Sequence, residues 1–62
     1  MEKGFRMKYK IGDLVSEYIR EENKTNYGIV INVYHNTLEI EWLHDNSKTI
    51  NLFINRRIKK VS

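Results

Sequence analysis

The stretch YGIVINVYHNTLEIEWLH, residues 27–44, decides the fold, because it places two runs of alternating side chains on either side of a polar turn. Alternation with a period of two is typical of a strand with one buried face, and the Asn-Thr pair in the middle is a turn signal. A two-residue loop at this pair sets apolar side chains opposite each other, which fixes a hairpin register. The facing pairs are then Val33–Ile40 and Ile31–Trp42. The stretch therefore predicts a β-hairpin with Trp42 in the core.

A further strand follows the polar segment Asp45-Asn46-Ser47. A three-residue loop there pairs Trp42 with Ile50. It also sets Ile40 against Leu52 and Leu38 against Ile54. A two-residue loop would instead set Trp42 against Thr49. We expect the three-residue loop, because it buries more apolar surface.

The remaining segments complete a small all-β domain. Residues 14–19 predict a first strand. The pattern does not decide which of its faces is buried, since either Leu14 and Tyr18 or Val15 and Ile19 could point inward. Residues 20–26 are wholly polar and predict a solvated loop, while 55–57 suit one 3₁₀ turn before a short last strand. A sheet this small buries one face only by curling over on itself. We expect a small, strongly bent barrel of about five antiparallel strands, formed by residues 11–62.

Residues 1–10 predict a basic N-terminal arm. Four cations alternate there with Phe5, Met7 and Tyr9, so the arm could fray or could add to a sheet edge. The whole chain has 62 residues and a formal charge of +3, with no cysteine and no proline. One domain is the most that such a length supports. The absence of a long apolar run argues against a membrane span and a signal peptide.

Segments at 12–15 (GDLV), 27–30 (YGIV), 41–42 (EW) and 58–62 (IKKVS) resemble SH3-like small barrels, whose topology KOW and Tudor domains share. The nearest type is the short single-domain protein common in bacteriophages. Asp45-Asn46 replaces the usual aspartate-glycine turn. The resemblance implies a protein that binds proteins or nucleic acids, or serves as a structural part, and is rarely an enzyme.

Neither catalysis nor a cofactor is expected from the residues themselves. His35 and His44 fall at opposite ends of the hairpin and predict no shared metal, and no serine or cysteine is spaced for a triad. Three scattered glycines make no phosphate-binding loop. An aromatic cage for a cationic ligand would need Trp42, Tyr18 and Tyr27 to converge, whereas Trp42 is expected in the core.

Two surfaces remain as candidate sites. In the pairings above, the central three strands carry large apolar side chains on the face away from the core. Such exposed apolar groups indicate a surface that another protein covers. These predicted protein-contact residues are Tyr34, Phe53, Val30, Leu43 and Glu39. A basic patch near the C-terminus could neutralise phosphates. Its predicted members are Arg56, Arg57, Lys59 and Lys60, with Lys8 and Lys10.

We therefore expect a non-enzymatic module that acts through protein contacts or self-association on the outer face of its central strands. A phage-type accessory or structural protein, in the host cytoplasm or in the virion, is the expected setting. Weak, non-specific nucleic-acid binding by the basic patch is the alternative.

Overall fold

A computed structural model describes residues 8–61. It shows one antiparallel sheet of five strands in the order β4-β3-β2-β1-β5. The strands are β1 (Leu14–Ile19), β2 (Lys24–Val33), β3 (Thr37–Trp42), β4 (Lys48–Leu52) and β5 (Ile58–Lys60). The prediction of an all-β domain with about five antiparallel strands is confirmed.

The sheet is not closed into a barrel, since β4 and β5 lie at its opposite edges. The short connection from β4 to β5 nevertheless links these two edges, and it contains two hydrogen-bonded turns. In them the Asn55 N–H donates to the Leu52 carbonyl at 3.1 Å, and the Ile58 N–H donates to the Asn55 carbonyl at 3.2 Å. In a flat sheet the two edges would be four strand spacings of about 4.8 Å apart. A short link that contains two turns does not cover that distance, so the sheet must be strongly curved.

The 3₁₀ helix is not where the sequence predicted it. It spans Arg20–Glu22, between β1 and β2, and residues 55–57 form turns instead. Asn23 ends the helix in the left-handed region, with φ 49°, and donates its N–H to the Arg20 carbonyl at 3.2 Å. Asparagine tolerates that conformation better than most residues, so the polar segment folds tightly.

One face of the sheet, called the inner face, carries the core. Its buried apolar residues are Tyr9, Val15, Val30, Leu38, Ile40, Trp42 and Ile58. Gly28 lies between Val15 and Trp42 in the pairing. A Cβ added at Gly28 would come within 2.5 Å of the Ile40 Cγ2 atom. The predicted core position of Trp42 is confirmed, and Gly28 is required by this close packing.

Tyr9, which the sequence placed in the arm, belongs to the core. Its ring is buried, lies 6.0 Å from the Phe53 ring, and its hydroxyl donates to the Ile58 carbonyl at 3.4 Å. Residues 1–7 of the predicted arm lie outside the described residues. Tyr9 thus joins the β4–β5 connection to β5 on the inner face.

The predicted β2–β3 register is wrong. The Tyr34 N–H donates to the Thr37 carbonyl at 2.8 Å, so the two-residue turn is His35-Asn36. Val33 faces Leu38, and Trp42 faces Gly28. A bulge at Ile31 shifts the pairing between these two points, so β2 changes which side chains face inward along its length.

The predicted β3–β4 register, with its three-residue loop, is also wrong, and the two-residue alternative does not form either. The Trp42 N–H donates to the Ser47 carbonyl at 2.7 Å, which leaves a four-residue turn. Ile40 therefore faces Thr49, and Glu39 faces Ile50. Ile50 consequently lies on the outer face, opposite to the core.

Candidate functional site

A groove of about 360 Å³ lies on the outer face beside β1. Its walls come from β1, from β2, from the 3₁₀ helix, and from β5 with the turn before it. The lining residues are Ser16, Tyr18, Arg20, Thr25, Arg56, Arg57 and Lys59. Within residues 8–61, the lining of this groove includes three arginines and one lysine and no carboxylate.

Strand pairing brings these side chains to one face. Ser16 pairs with Tyr27 on β2 and with Lys59 on β5, and directly paired residues share a face of the sheet. Since the neighbouring Val15 is in the core, Ser16, Tyr27 and Lys59 are on the outer face. Tyr18, two residues along β1, projects from the same face. The first strand therefore contributes a hydroxyl and an aromatic ring to the groove.

The 3₁₀ helix fixes one end of the groove. Tyr18 is about half exposed, and its hydroxyl donates to the Asn23 Oδ1 atom at 2.8 Å. This bond holds the tip of the ring against the turn and restricts the ring's rotation. Arg20 begins the helix and reaches the groove from the same side.

The turn before β5 borders the same end of the groove, because the antiparallel Glu17–Ile58 pair places this turn beside the end of β1 that leads into the 3₁₀ helix. The Asn55 Oδ1 atom accepts a hydrogen bond from the Arg57 N–H at 2.9 Å, as in an Asx turn. Arg56 and Arg57 thereby enter the groove lining next to Lys59. The Arg57 Nη2 atom lies 4.0 Å from the Glu21 Oε2 atom, with both side chains exposed. An exposed pair at this distance contributes little and can exchange for another anion.

The structure separates the predicted basic patch into two groups. Arg56, Arg57 and Lys59 line the groove, whereas Lys60 projects to the other side of β5. There the Lys60 Nζ atom lies 3.5 Å from the Asp13 Oδ2 atom. The bond from the Lys10 N–H, and to a smaller extent the Lys60 charge, hold the pKa of Asp13 below its ordinary value.

Lys8 and Lys10, the other predicted members of the patch, do not line the groove. The Lys8 Nζ atom lies 5.6 Å from the centre of the Tyr9 ring. Sequence reasoning considered Tyr18 only for an aromatic cage and did not single out Arg20, although the S-x-Y-x-R spacing of residues 16–20 already places three polar groups on one side of a strand.

The structure does not bring the five predicted protein-contact residues together on the outer face. Val30 is fully buried in the core, and Phe53 is half-buried against Tyr9, so their predicted outward placement is wrong. Tyr34, Leu43 and Glu39 are at the surface. Glu39 faces Asn32 and Ile50, whereas the predicted pairing of Ile40 with Leu52 would have set it opposite Phe53.

Tyr34 and Glu39 nevertheless interact. The Tyr34 hydroxyl donates to the Glu39 Oε1 atom at 3.3 Å, and the Asn32 amide donates to the same oxygen at 2.9 Å. Partial desolvation, and then the Glu39 carboxylate, raise the pKa of Tyr34 above its ordinary value. The apolar groups exposed beside this cluster are Ile50 and Leu52, at 57% and 51% exposure.

The aromatic-cage arrangement does not form, since Trp42 is on the inner face and Tyr18 is on the outer face. The His44 Nε2 atom lies 3.5 Å from the Asp45 Oδ2 atom. Among residues 8–61, no three histidine, aspartate or glutamate side chains are grouped to hold a metal ion. In the same range, no helix is long and apolar enough to cross a membrane.

No protein-family model matches this chain, and no curated protein or solved structure is significantly similar to it.

Proposed function

We propose that this chain is a binding module whose groove takes single-stranded nucleic acid. The observation that carries the proposal is the grouping of three arginines, a lysine and the half-exposed Tyr18 ring around one groove. Guanidinium groups match phosphate oxygens with paired hydrogen bonds. An exposed aromatic ring gives an unpaired base a surface on which to stack.

The arrangement favours a single strand over a duplex. The basic residues follow one side of the groove, from Arg56 to Lys59, and can contact consecutive phosphates of one strand. Tyr18, fixed by its bond to Asn23, is in place to stack on a base that no partner strand holds. Such contacts discriminate poorly between sequences, because phosphates and aromatic stacking are common to all of them.

The strand order supports an SH3-like arrangement, in which three successive hairpin pairings are followed by a last strand that returns to the first. We propose this likeness for the fold and, with it, a role without catalysis. An accessory or structural role in a bacteriophage, in the host cytoplasm or in the virion, stays a prediction.

Fluorescence anisotropy with dye-labelled oligothymidine and oligouridine tests the nucleic-acid proposal. We expect micromolar binding whose log Kd–log salt slope has a magnitude of about 2 to 3, for three to four neutralised phosphates. The double variant Arg56→Ala/Arg57→Ala should weaken binding and reduce this slope by about 1.4, since each phosphate on a single strand contributes about 0.7.

Lys8→Ala/Lys10→Ala is the matched control, because it removes the same charge from positions outside the groove. Its slope should stay close to that of the unaltered chain. Equal losses in both double variants would show a general charge effect and contradict a groove. Tighter binding to duplex than to single strands would contradict the role of Tyr18.

A second function, contact with another protein, is favoured by the exposed apolar groups of β4. Ile50 and Leu52 lie on the outer face, and Leu43 is exposed at the adjoining turn. Exposed apolar groups that adjoin one another in this way mark protein-interaction sites. Light scattering on size-exclusion fractions would test it: association should weaken in Leu43→Asp and Tyr34→Asp.

A further inference from the structure

Among residues 8–61, strand β4 is an edge of the sheet, and one side of it has backbone groups that no neighbouring strand pairs. In an antiparallel ladder, alternate residues direct both backbone groups toward the same neighbour. The Trp42 N–H donates to the Ser47 carbonyl at 2.7 Å, and the Phe53 N–H donates to the Asn36 carbonyl at 3.1 Å. The odd-numbered residues of β4 therefore direct their backbone groups toward β3, and Lys48 and Ile50 direct their N–H and C=O groups to the open edge. Leu52 directs only its N–H there, because its carbonyl accepts a hydrogen bond from the Asn55 N–H in the turn that follows.

The two edges of the sheet differ in how they are protected. Edge strands normally avoid pairing with other chains by being short or charged, or by containing proline or a bulge. The β5 edge has three residues, of which Lys59 and Lys60 are charged. The β4 edge has five residues with one charge, Lys48, no proline, and no recorded bulge against β3. Of the two sheet edges formed by residues 8–61, the β4 edge is thus the one that offers a regular strand for pairing.

We propose that β4 pairs antiparallel with β4 of a second copy of this chain, about a two-fold axis at Ile50. This makes the protein-contact function specific and does not depend on the nucleic-acid function. A two-fold axis at Ile50 sets Ile50 against itself and Lys48 against Leu52. The Ile50 pair forms two hydrogen bonds, and each Lys48–Leu52 pair forms one, from the Leu52 N–H to the Lys48 carbonyl, so the three facing pairs form about four.

The side chains fit the same register. On the outer face the Ile50 side chains of both copies meet at the axis, each next to its own Glu39. Leu52 lies beside the aliphatic stem of Lys48 from the other copy, and the Lys48 charge stays next to Glu41 of its own chain. No like charges face each other directly. The strand is therefore complementary to itself in hydrogen bonding, apolar contact and charge, which selects a second copy as the partner.

Disulfide trapping tests the register directly, because the chain contains no cysteine of its own. In the proposed dimer the two Cα atoms of residue 50 are about 5.5 Å apart, within the range of about 4.4–6.8 Å that a disulfide spans. Ile50→Cys should form a covalent dimer under mild oxidation. Leu52→Cys is the matched control, since its two copies face Lys48 and lie more than about 10 Å apart.

We expect Ile50→Cys to cross-link at least about tenfold faster than Leu52→Cys, because pairing raises the local thiol concentration. Equal rates would show random collision and overturn the proposal, as would no cross-link at position 50. Non-covalent association is measured in parallel by sedimentation. Ile50→Lys should shift the chain to monomer, while Ile54→Lys, at a more exposed site outside the strand, should not.

Sedimentation also separates this proposal from the broader protein-contact function. Association that survives Ile50→Lys but is lost in Tyr34→Asp would overturn edge pairing and leave an outer-face contact standing. A chain that stays monomeric at high concentration would overturn edge pairing. Circular dichroism of each variant verifies that the fold is retained.

Discussion

The outer face has opposite chemistry at its two ends. Beside β1 and β5 it carries Tyr18, Arg57 and Lys59 around a groove. At β4 it carries Ile50 and Leu52, which are more than half exposed and adjoin an open strand edge. The first end suits a polyanion bound by side chains, and the second suits another strand bound by backbone groups.

The difference originates in one turn. Asn46 takes φ 62° and donates its N–H to the Trp42 carbonyl at 2.8 Å, and the Asp45 carboxylate accepts bonds from the N–H and hydroxyl of Ser47. This four-residue turn sets Thr49 opposite Ile40 on the inner face. A turn one residue shorter would have brought Ile50 inward. The exposed apolar end therefore follows from turn geometry.

The largest effect is expected in the core that both ends share. Trp42→Ala should lower the free energy of unfolding by about 3–5 kcal/mol, because it leaves a cavity under the sheet. Ile54→Ala is the control, since Ile54 is 80% exposed and should change the stability by less than about 0.5 kcal/mol. Urea denaturation followed by circular dichroism measures both. Similar losses in the two variants would contradict the division into inner and outer faces.

A smaller effect distinguishes the two ends in binding. Tyr18→Leu should weaken oligothymidine binding by about 1–3 kcal/mol, the contribution of one stacked base. Tyr34→Leu removes an equally exposed ring near β4 and should leave the affinity unchanged. Anisotropy titrations at one fixed salt concentration compare them. A loss at Tyr34 with none at Tyr18 would move the binding site to the other end.

The sequence predicted the strand content and the inward face of β3 correctly, but it could not predict the registers. Leu38, Ile40 and Trp42 alternate without interruption, so one face had to be buried. In β2 the alternation misleads, because the bulge at Ile31 exchanges the two faces and buries Val30. Pairing by maximum burial then failed at β4, where hydrogen bonds within the turn determine the loop length.

The candidate groove was predictable in part. A run of cations in residues 56–60 indicated a basic surface, and three of the four line the groove. Alternation along β5 directs Lys60 to the other face, as it does in any strand. Tyr18 and Arg20 join the groove only through the β1–β5 pairing, which connects segments about forty residues apart and has no local signal in the sequence.

The β4 register itself can be tested by two substitutions at neighbouring positions. The Trp42 Nε1–H donates to the Thr49 Oγ1 atom at 2.8 Å. Thr49→Val removes this acceptor and should lower the stability by about 1 kcal/mol. Ile50→Thr replaces an exposed apolar side chain with a polar one and should lower the free energy of unfolding by less than about 0.5 kcal/mol. A larger loss of stability in Ile50→Thr than in Thr49→Val would contradict the observed register and favour the one in which Trp42 faces Ile50.

The smallest effect concerns acid stability at the β1 end. The Asp13 carboxylate accepts a hydrogen bond from the Lys10 N–H at 2.9 Å and lies 3.5 Å from the Lys60 Nζ atom. These contacts lower the pKa of Asp13 in the folded state below 3.8, its ordinary value. A lowered pKa means that the ionised group stabilises the fold above pH 3.8, and that this contribution disappears as the pH falls through the folded-state pKa.

Asp13→Asn should therefore be slightly less stable than the unaltered chain at neutral pH, and the difference should shrink below pH 3.8. Asp45→Asn is the matched variant at the β4 end, where hydrogen bonds from Ser47 lower the pKa of Asp45 in the same direction. Urea midpoints measured across the acid range compare the two. If the deficit of Asp13→Asn persisted unchanged in acid, the loss would come from packing and not from the charge of the Asp13 carboxylate.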